Sequence, residues 1–435
     1  MLKIKNYIVL LLVLLGADLA FAQKSTISPY SKYGVGLLIP ENFNQNFGMG
    51  GAGLGLRSNT NINYLNPASY SELTITTVEF GLTTSGLWLE NGTQSQFQNN
   101  TYINHIAFGF PVINNKWGMS FGIMPYSKVG YDYQNTVSDS IAGDIDFYYK
   151  GDGGLNQVYF GNAVKFKIDT TSNISVGVNG SVLFGNFTSD KKVIFGDLAN
   201  SYNLWEFSRT SIVDFNFIGG IQYTKSFRNA KAEKYNLILG TTYELAADLN
   251  AEQTQLNRTF KGNIDFGTIE DTIVNTVDVP TILELPSKIG IGVVFEKENK
   301  WTLAADVKSS SWGQLTQPVN QNYSYQNDLT LNAGVEYIPD YNSFNRYFKR
   351  VKYRLGFRYS TGYLKVDNQS ISDYGITFGL FLPVKRTDTA FPGLNLAVEY
   401  GGKGKASAGL VKEKYLNFNL GITINDRWFI KRKYD

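Results

Sequence analysis

Hydrophobic and polar residues alternate with period two over most of the chain, the signature of strands whose two faces meet different surroundings. The last run is the cleanest. Leu416, Phe418, Leu420, Ile422 and Ile424 share one face, and Asn417, Asn419, Gly421, Thr423 and Asn425 share the other. Ile174, Val176, Val178, Val182 and Phe184 alternate in the same way with Ser175, Gly177, Asn179 and Ser181. Fourteen such segments begin near residues 74, 101, 116, 155, 173, 207, 235, 284, 300, 329, 351, 372, 393 and 414. Short turns such as Asn114-Asn115, Thr170–Asn173 and Glu296–Lys300 alternate with long connections over roughly 128–153, 188–206, 246–282 and 310–327. An even strand count, with tight turns at one end and long excursions at the other, is the pattern of bacterial outer-membrane barrels. The expected fold class is all-β: a transmembrane antiparallel β-barrel of about fourteen strands over residues 73–429.

The polar face separates this reading from a large soluble sandwich. Glu79, Lys165, Lys167, Asp214, Glu244, Asp306, Lys308, Glu336, Arg354, Arg358 and Glu399 sit in mid-strand. Inside a barrel such groups pair or meet water, whereas facing lipid each would cost several kcal/mol. Trp88, Trp117, Trp301, Trp312, Trp428 and Phe429 lie at strand ends, as in interfacial girdles. Closure also leaves no unpaired edge within the bilayer.

Two further segments precede the strands. Residues 1–22 read as a signal peptide: Lys3 and Lys5, an apolar core Tyr7–Leu15, then Ala20-Phe21-Ala22. The core is too short for a permanent span, which needs about 20 apolar residues. Residues 23–72 lack strand alternation and carry the run Phe47-Gly48-Met49-Gly50-Gly51-Ala52-Gly53-Leu54-Gly55-Leu56-Arg57. A segment of this size, joined to the first strand, is placed to fold back as a hatch in the lumen, its glycines passing close to the wall. Residues 430–435 form a short C-terminal tail. Both termini are expected in the periplasm, with the long loops outside the cell.

Composition removes most chemistry. Cysteine is absent and histidine occurs once, so thiolate metal sites, disulfides and most acid–base constellations lack their usual members. No catalytic residue, metal site or cofactor is expected. His105 has no Gly-x-Ser-x-Gly partner motif. Gly48-x-Gly50-x-x-Gly53 matches a dinucleotide fingerprint by letter only, since no strand precedes it. A net charge of +3 offers no basic footprint for nucleic acid.

The glycine-rich run, followed by Asn66-Pro67-Ala68 just before the first strand, resembles the FadL-type outer-membrane transporters. The likeness continues through Leu285-Pro286-Ser287-Lys288-Ile289-Gly290-Ile291-Gly292, Trp301-Thr302-Leu303-Ala304-Ala305-Asp306 and Trp312. Ser28-Pro29-Tyr30-Ser31-Lys32-Tyr33-Gly34 and an asparagine-rich composition suggest the Bacteroidota branch, with its PorV-like members. The resemblance implies passive uptake of long-chain fatty acids or other hydrophobic compounds through a hatch-gated lumen, and it makes Gly50, Gly51, Gly53, Asn66, Pro67 and Ala68 hatch and gate residues. Candidate ligand-lining positions are Ile62, Tyr64 and Leu65 on the hatch, and Met124, Tyr126, Ile218 and Phe381 on the strands. Arg354 or Arg358 is available for a carboxylate, or else pairs with Glu336, Glu399 or Asp306. The other expectation is a PorV-like barrel that transports nothing and serves as a binding or assembly subunit of an outer-membrane secretion or biogenesis complex. Expected partners are outer-membrane lipids, a hydrophobic small molecule or fatty acid, and other subunits of such a complex.

Overall fold

The computed structural model describes residues 26, 28–92, 94–141, 143–196, 201–262, 267–318, 322–384, 392–406 and 410–426. The proposed signal peptide, the C-terminal tail, Trp428 and Phe429 lie outside the described residues.

Fourteen antiparallel strands close into a barrel: β1 (Thr76–Asn91), β2 (Gln94–Ile113), β3 (Trp117–Asp139), β4 (Gly143–Lys167), β5 (Ser172–Phe195), β6 (Asn203–Arg228), β7 (Lys234–Glu244), β8 (Lys288–Lys297), β9 (Trp301–Ser310), β10 (Asp328–Tyr337), β11 (Lys352–Ser360), β12 (Asp373–Pro383), β13 (Gly393–Lys403) and β14 (Lys412–Asp426). Each pairs with its successor, and β14 closes the ring on β1 from Thr76↔Asp426 to Glu90↔Lys412. Burial is inverted relative to a water-soluble fold. Phe160, Phe215, Ile291, Leu355 and Phe418 are exposed on the outside. Glu79, Gln157, Gln222, Asp306, Glu336 and Asn395 are buried on the inside. An apolar exterior around a polar, filled interior is what a bilayer selects, because lipid solvates the one face and cannot solvate the other.

All fourteen expected segments are strands, but three of the expected long loops are not loops. Residues 128–153 and 188–206 are chiefly the overhanging ends of β3–β4 and β5–β6. β4 is 25 residues long and β6 is 26, against the roughly 9–11 that a tilted strand needs to cross a bilayer. Alternation is hidden there because neither face meets lipid. Its trace is a tyrosine ladder, with Tyr133 stacked on Tyr149 at 5.0 Å between centroids. Residues 246–282 form a further hairpin, Ala247–Lys261 with Thr268–Leu285. Its first arm continues the sheet along the upper half of β6, from Ile212↔Ala251 to Asn203↔Phe260. Trp312, expected in an interfacial girdle, is instead 2% exposed, packed on Tyr363 at 4.4 Å in a cluster with Val35, Tyr126 and Leu155.

Candidate functional site: the plugged lumen

Residues 28–75 thread the barrel interior. Their course includes a short strand Leu37–Leu38, a single helical turn Asn44–Phe47 and a 3-10 turn Pro67–Glu72. Pro67 presets the turn, and Asn66 caps it by accepting the Ala68 N–H at 3.1 Å.

Two apolar clusters seat this hatch. Phe43, Ile62, Tyr64, Tyr70 and Leu73 pack against Ala107, Met124, Tyr159, Ala163 and Ile218 of the wall. Met49, Ala52 and Leu56 pack against Ile238, Val294 and Ala304. Polar contacts ring the same segment. The Asp306 carboxylate accepts the Gly53 and Leu54 N–H groups at 2.6 and 3.0 Å. Arg57 donates to Asn173, Thr224 and Ser175 of the wall, each at 3.0 Å, and pairs with Glu72 at 2.7 Å. Lys165 reaches the same Glu72 oxygen at 3.1 Å. Burial works against the Glu72 carboxylate, but Arg57 and Lys165 outweigh it and hold its carboxyl below the usual range.

Backbone meets backbone where glycines allow it. Gly50 lies at φ +66° against the Phe357 main chain, and a Cβ at the facing Gly356 would strike the peptide between Met49 and Gly50. Pro67 rests in the same way on Gly177 of β5. Gly177 and Gly356 were not among the positions expected to matter, although each is a glycine at an inward position of an alternating strand, which is a readable signal for close approach.

The expected gate residues therefore all lie at the hatch–wall contact. The carbonyl of Gly51 (φ +77°) accepts the Asn332 amide at 3.1 Å, the Gly53 N–H is held by Asp306, and the Asn66 amide donates to the Ile221 carbonyl at 3.3 Å. The expected lining residues divide. Ile62, Tyr64 and Met124 are packed into the hatch seat and line none of the cavities formed among the described residues. Tyr126, Leu65 and Arg358 line an outer cavity of about 350 Å³. Ile218 borders a side pocket of about 180 Å³, and Phe381 borders a separate cavity of about 490 Å³ on the short-turn side. The outer and inner cavities share no lining residue among those described, because the hatch stands between them. Arg354 lines neither cavity. Its Nε donates to Glu336 at 2.7 Å and its Nη1 to Asn395 at 2.8 Å. Arg358 is held by Glu399 at 3.0 Å, Asp373 at 3.3 Å and the Tyr415 hydroxyl at 2.8 Å. Both arginines tie neighbouring strands together.

One stretch of wall is incomplete. The ladder between β2 and β3 runs only from Ile106↔Ile123 to Ile113↔Trp117, so the halves above it are not paired with one another. A two-residue hatch strand pairs with the β3 side of this breach, with Leu37 opposite Lys128 and Leu38 opposite Ser127. The Lys128 ammonium spans the breach and lies 2.8 Å from the centroid of the Tyr102 ring. Nearby, a bulge in β2 between the Gly81↔His105 and Leu82↔Ile103 pairs turns both Asn104 and His105 inward. Simple alternation places only His105 there.

This is the architecture of an outer-membrane barrel with an internal plug. The chain belongs to the BamG family, whose model matches residues 3–435. Its fold is that of FadL-type channels. A FadL homologue of Pseudomonas aeruginosa aligns with a TM-score of 0.56 at 10% identity, covering 89% of this chain and 99% of that one. The Pseudomonas putida toluene transporter TodX aligns at 0.54 and 14% identity, covering 91% and 100%. The monoaromatic hydrocarbon channel CymD aligns at 0.52 and 12% identity, covering 88% and 97%. No curated protein matches the sequence.

Proposed function

We propose that this protein is a closed, membrane-anchored barrel that acts as a binding or assembly subunit of an outer-membrane protein secretion or biogenesis complex. The observation that carries this reading is the hatch, which is bonded to the wall on several sides through Asp306, Arg57, Asn66 and the Glu72 pair. A moving gate would have to break charged, buried hydrogen bonds worth about 1.5–3 kcal/mol each. Both termini lie on the periplasmic side in this reading, and the overhanging hairpins face outward as contact surface. We place the chain in the Bacteroidota branch with the PorV-like proteins on its Ser28–Gly34 opening, a placement that fits the same role.

The second reading is uptake of fatty acids or other hydrophobic compounds, with a hatch-gated lumen. The outer cavity favours it, since Leu37, Leu38, Leu65 and Leu87 line it beside polar groups. The structural neighbours, by name a toluene transporter and a hydrocarbon channel, favour it also. Two measurements separate the readings. Mild solubilisation followed by native electrophoresis should recover the barrel in a complex with other envelope proteins. A strain lacking it should take up long-chain fatty acid and toluene at the parental rate. A barrel that migrates alone, together with uptake that depends on it, overturns the assembly reading.

A further inference from the structure

We infer that the outer strand of the inserted hairpin, Thr268–Leu285, is a docking edge for an extended segment of a partner protein that carries lysine or arginine. The inference rests on the assembly reading and names the surface that would serve it. Every barrel strand is laddered along both sides for at least part of its length. Thr268–Leu285 is laddered only to Ala247–Lys261, and its other edge meets no strand among the described residues. Among the described residues its free edge is tied down only at the base, where the Glu284 carboxylate accepts the Thr316 N–H at 2.7 Å. Beyond that point unpaired backbone donors and acceptors run along a strand that is open on both faces. Large aliphatic side chains stand out from it, with Ile273 60%, Val277 65% and Ile282 65% exposed. A strand of this length with exposed aliphatics is what β-augmentation uses: main-chain hydrogen bonds supply affinity and alternate side chains supply selectivity.

Charge narrows the occupant. Between Lys261 and Lys288 the chain carries Glu270, Asp271, Asp278 and Glu284 on this strand, and no lysine or arginine. A second copy pairing edge to edge would set these carboxylates against one another, which is destabilising. A basic strand gains from them. Bulges between Thr272 and Val274 and between Thr276 and Val279 restrict uninterrupted pairing to the lower part, where Pro280 alone lacks a donor. Docking is accordingly centred on Asp278–Ile282, above the Glu284 tie, with Glu270 and Asp271 further out along the same edge.

The test uses the full-length barrel in detergent and a synthetic peptide alternating lysine with valine. Its comparators are the same peptide with glutamate in place of lysine and a version N-methylated along one edge. Fluorescence anisotropy should show saturable binding of the lysine peptide alone. Binding should weaken about tenfold or more in the Glu270→Lys/Asp271→Lys/Asp278→Lys variant and fall steeply with salt. Unchanged thermal unfolding certifies that the variant is folded, since these side chains are exposed. Equal binding of the glutamate or N-methylated peptide, or of the lysine peptide to the variant, overturns the assignment, as does salt-insensitive self-association. Native electrophoresis of wild type tests the assembly reading separately. A barrel that migrates alone yet binds the lysine peptide fails that reading and supports the edge. A barrel recovered in a complex that ignores the peptide fails the edge and leaves the reading standing.

Discussion

The carboxylate of Asp306, in mid-strand on the barrel wall, accepts the backbone N–H groups of Gly53 and Leu54 at 2.6 and 3.0 Å. One oxygen of a buried carboxylate, Oδ2, is thereby satisfied by the hatch main chain, and the hatch is held at the glycine that lets it come so near. Asp306→Ala removes both bonds and leaves two buried donors without a partner. Such a change costs about 1.5–3 kcal/mol per charged hydrogen bond. Amide hydrogen exchange should rise at Gly53 and Leu54 while exchange in β1 and β14 stays slow. Unchanged exchange at Gly53 would mean that the apolar seat alone holds the segment.

Gly356 makes a second contact testable in the opposite sense, by adding atoms. A side chain there would enter the space of the Met49–Gly50 peptide, which backbone cannot vacate. Gly356→Val should lower thermal stability by the 1–3 kcal/mol typical of overpacking. Gly180→Val, at an outward-facing glycine whose Cβ would meet only the Phe217 ring at 3.3 Å, should be tolerated. Equal stability of the two variants would deny the close hatch–wall approach.

How much of this was readable beforehand differs between wall and plug. Period-two alternation located all fourteen strands because lipid and lumen impose opposite demands on the two faces, as at Phe418 and Asn419. It failed above the bilayer, where Tyr133, Tyr149 and the hairpin Ala247–Lys261 meet solvent or one another and the pattern fades. It failed also at Asn104, because a bulge breaks the alternation that the inference used. The hatch segment was readable as the place where alternation stops. Its partners were not. Which wall residue meets Gly53 or Arg57 depends on contacts between positions more than a hundred residues apart, and no local pattern encodes them. Ile62, Tyr64 and Met124 were recognisable as inward and apolar, but that property does not distinguish a residue that lines a cavity from one that fills it.

The Glu72 pair makes hatch anchoring pH-dependent. Although burial opposes its charge, Arg57 and Lys165 hold the Glu72 carboxyl below its ordinary value. A depressed folded-state pKa stabilises at pH above the unfolded value, about 4.3 for glutamate, and that contribution is lost as the pH falls through the folded value. Proteolytic protection of residues 57–72 should therefore hold at neutral pH and fail in acid below about pH 4. Glu72→Gln should weaken protection at neutral pH and flatten the acid-dependent part. An identical acid profile in Glu72→Gln would assign the transition to other carboxylates.

The absence of cysteine from the chain permits a direct test of the breach between β2 and β3. Leu37 and Lys128 are opposite in an antiparallel pair, a separation that a disulfide can bridge. Leu37→Cys/Lys128→Cys should form an intramolecular crosslink readily under mild oxidant. Leu37→Cys paired with Lys308→Cys, whose positions share a cavity lining but no ladder, should form it poorly. In the assembly reading the crosslinked barrel still enters its complex, because the hatch has no need to move. Loss of complex formation on oxidation, restored by reductant, would show instead that the hatch strand must leave Lys128.

His105 is the chain's one histidine and is fully buried. Its ring lies flat on Phe43 of the hatch, with 4.0 Å between centroids and 3° between planes. Aromatic contacts of this kind contribute about 0.5–1.5 kcal/mol beyond area burial. Phe43 is wholly buried and seated among Tyr64 and Tyr159, so Phe43→Ala should destabilise the hatch by about 3–5 kcal/mol. The imidazole then reports on its own cover. An acylating reagent selective for histidine should leave the native barrel unmodified and modify His105 in Phe43→Ala, with no second site to confuse the count. Rapid modification of His105 in the unaltered, folded barrel would mean that the hatch opens spontaneously, and the closed-subunit proposal would lose its structural basis.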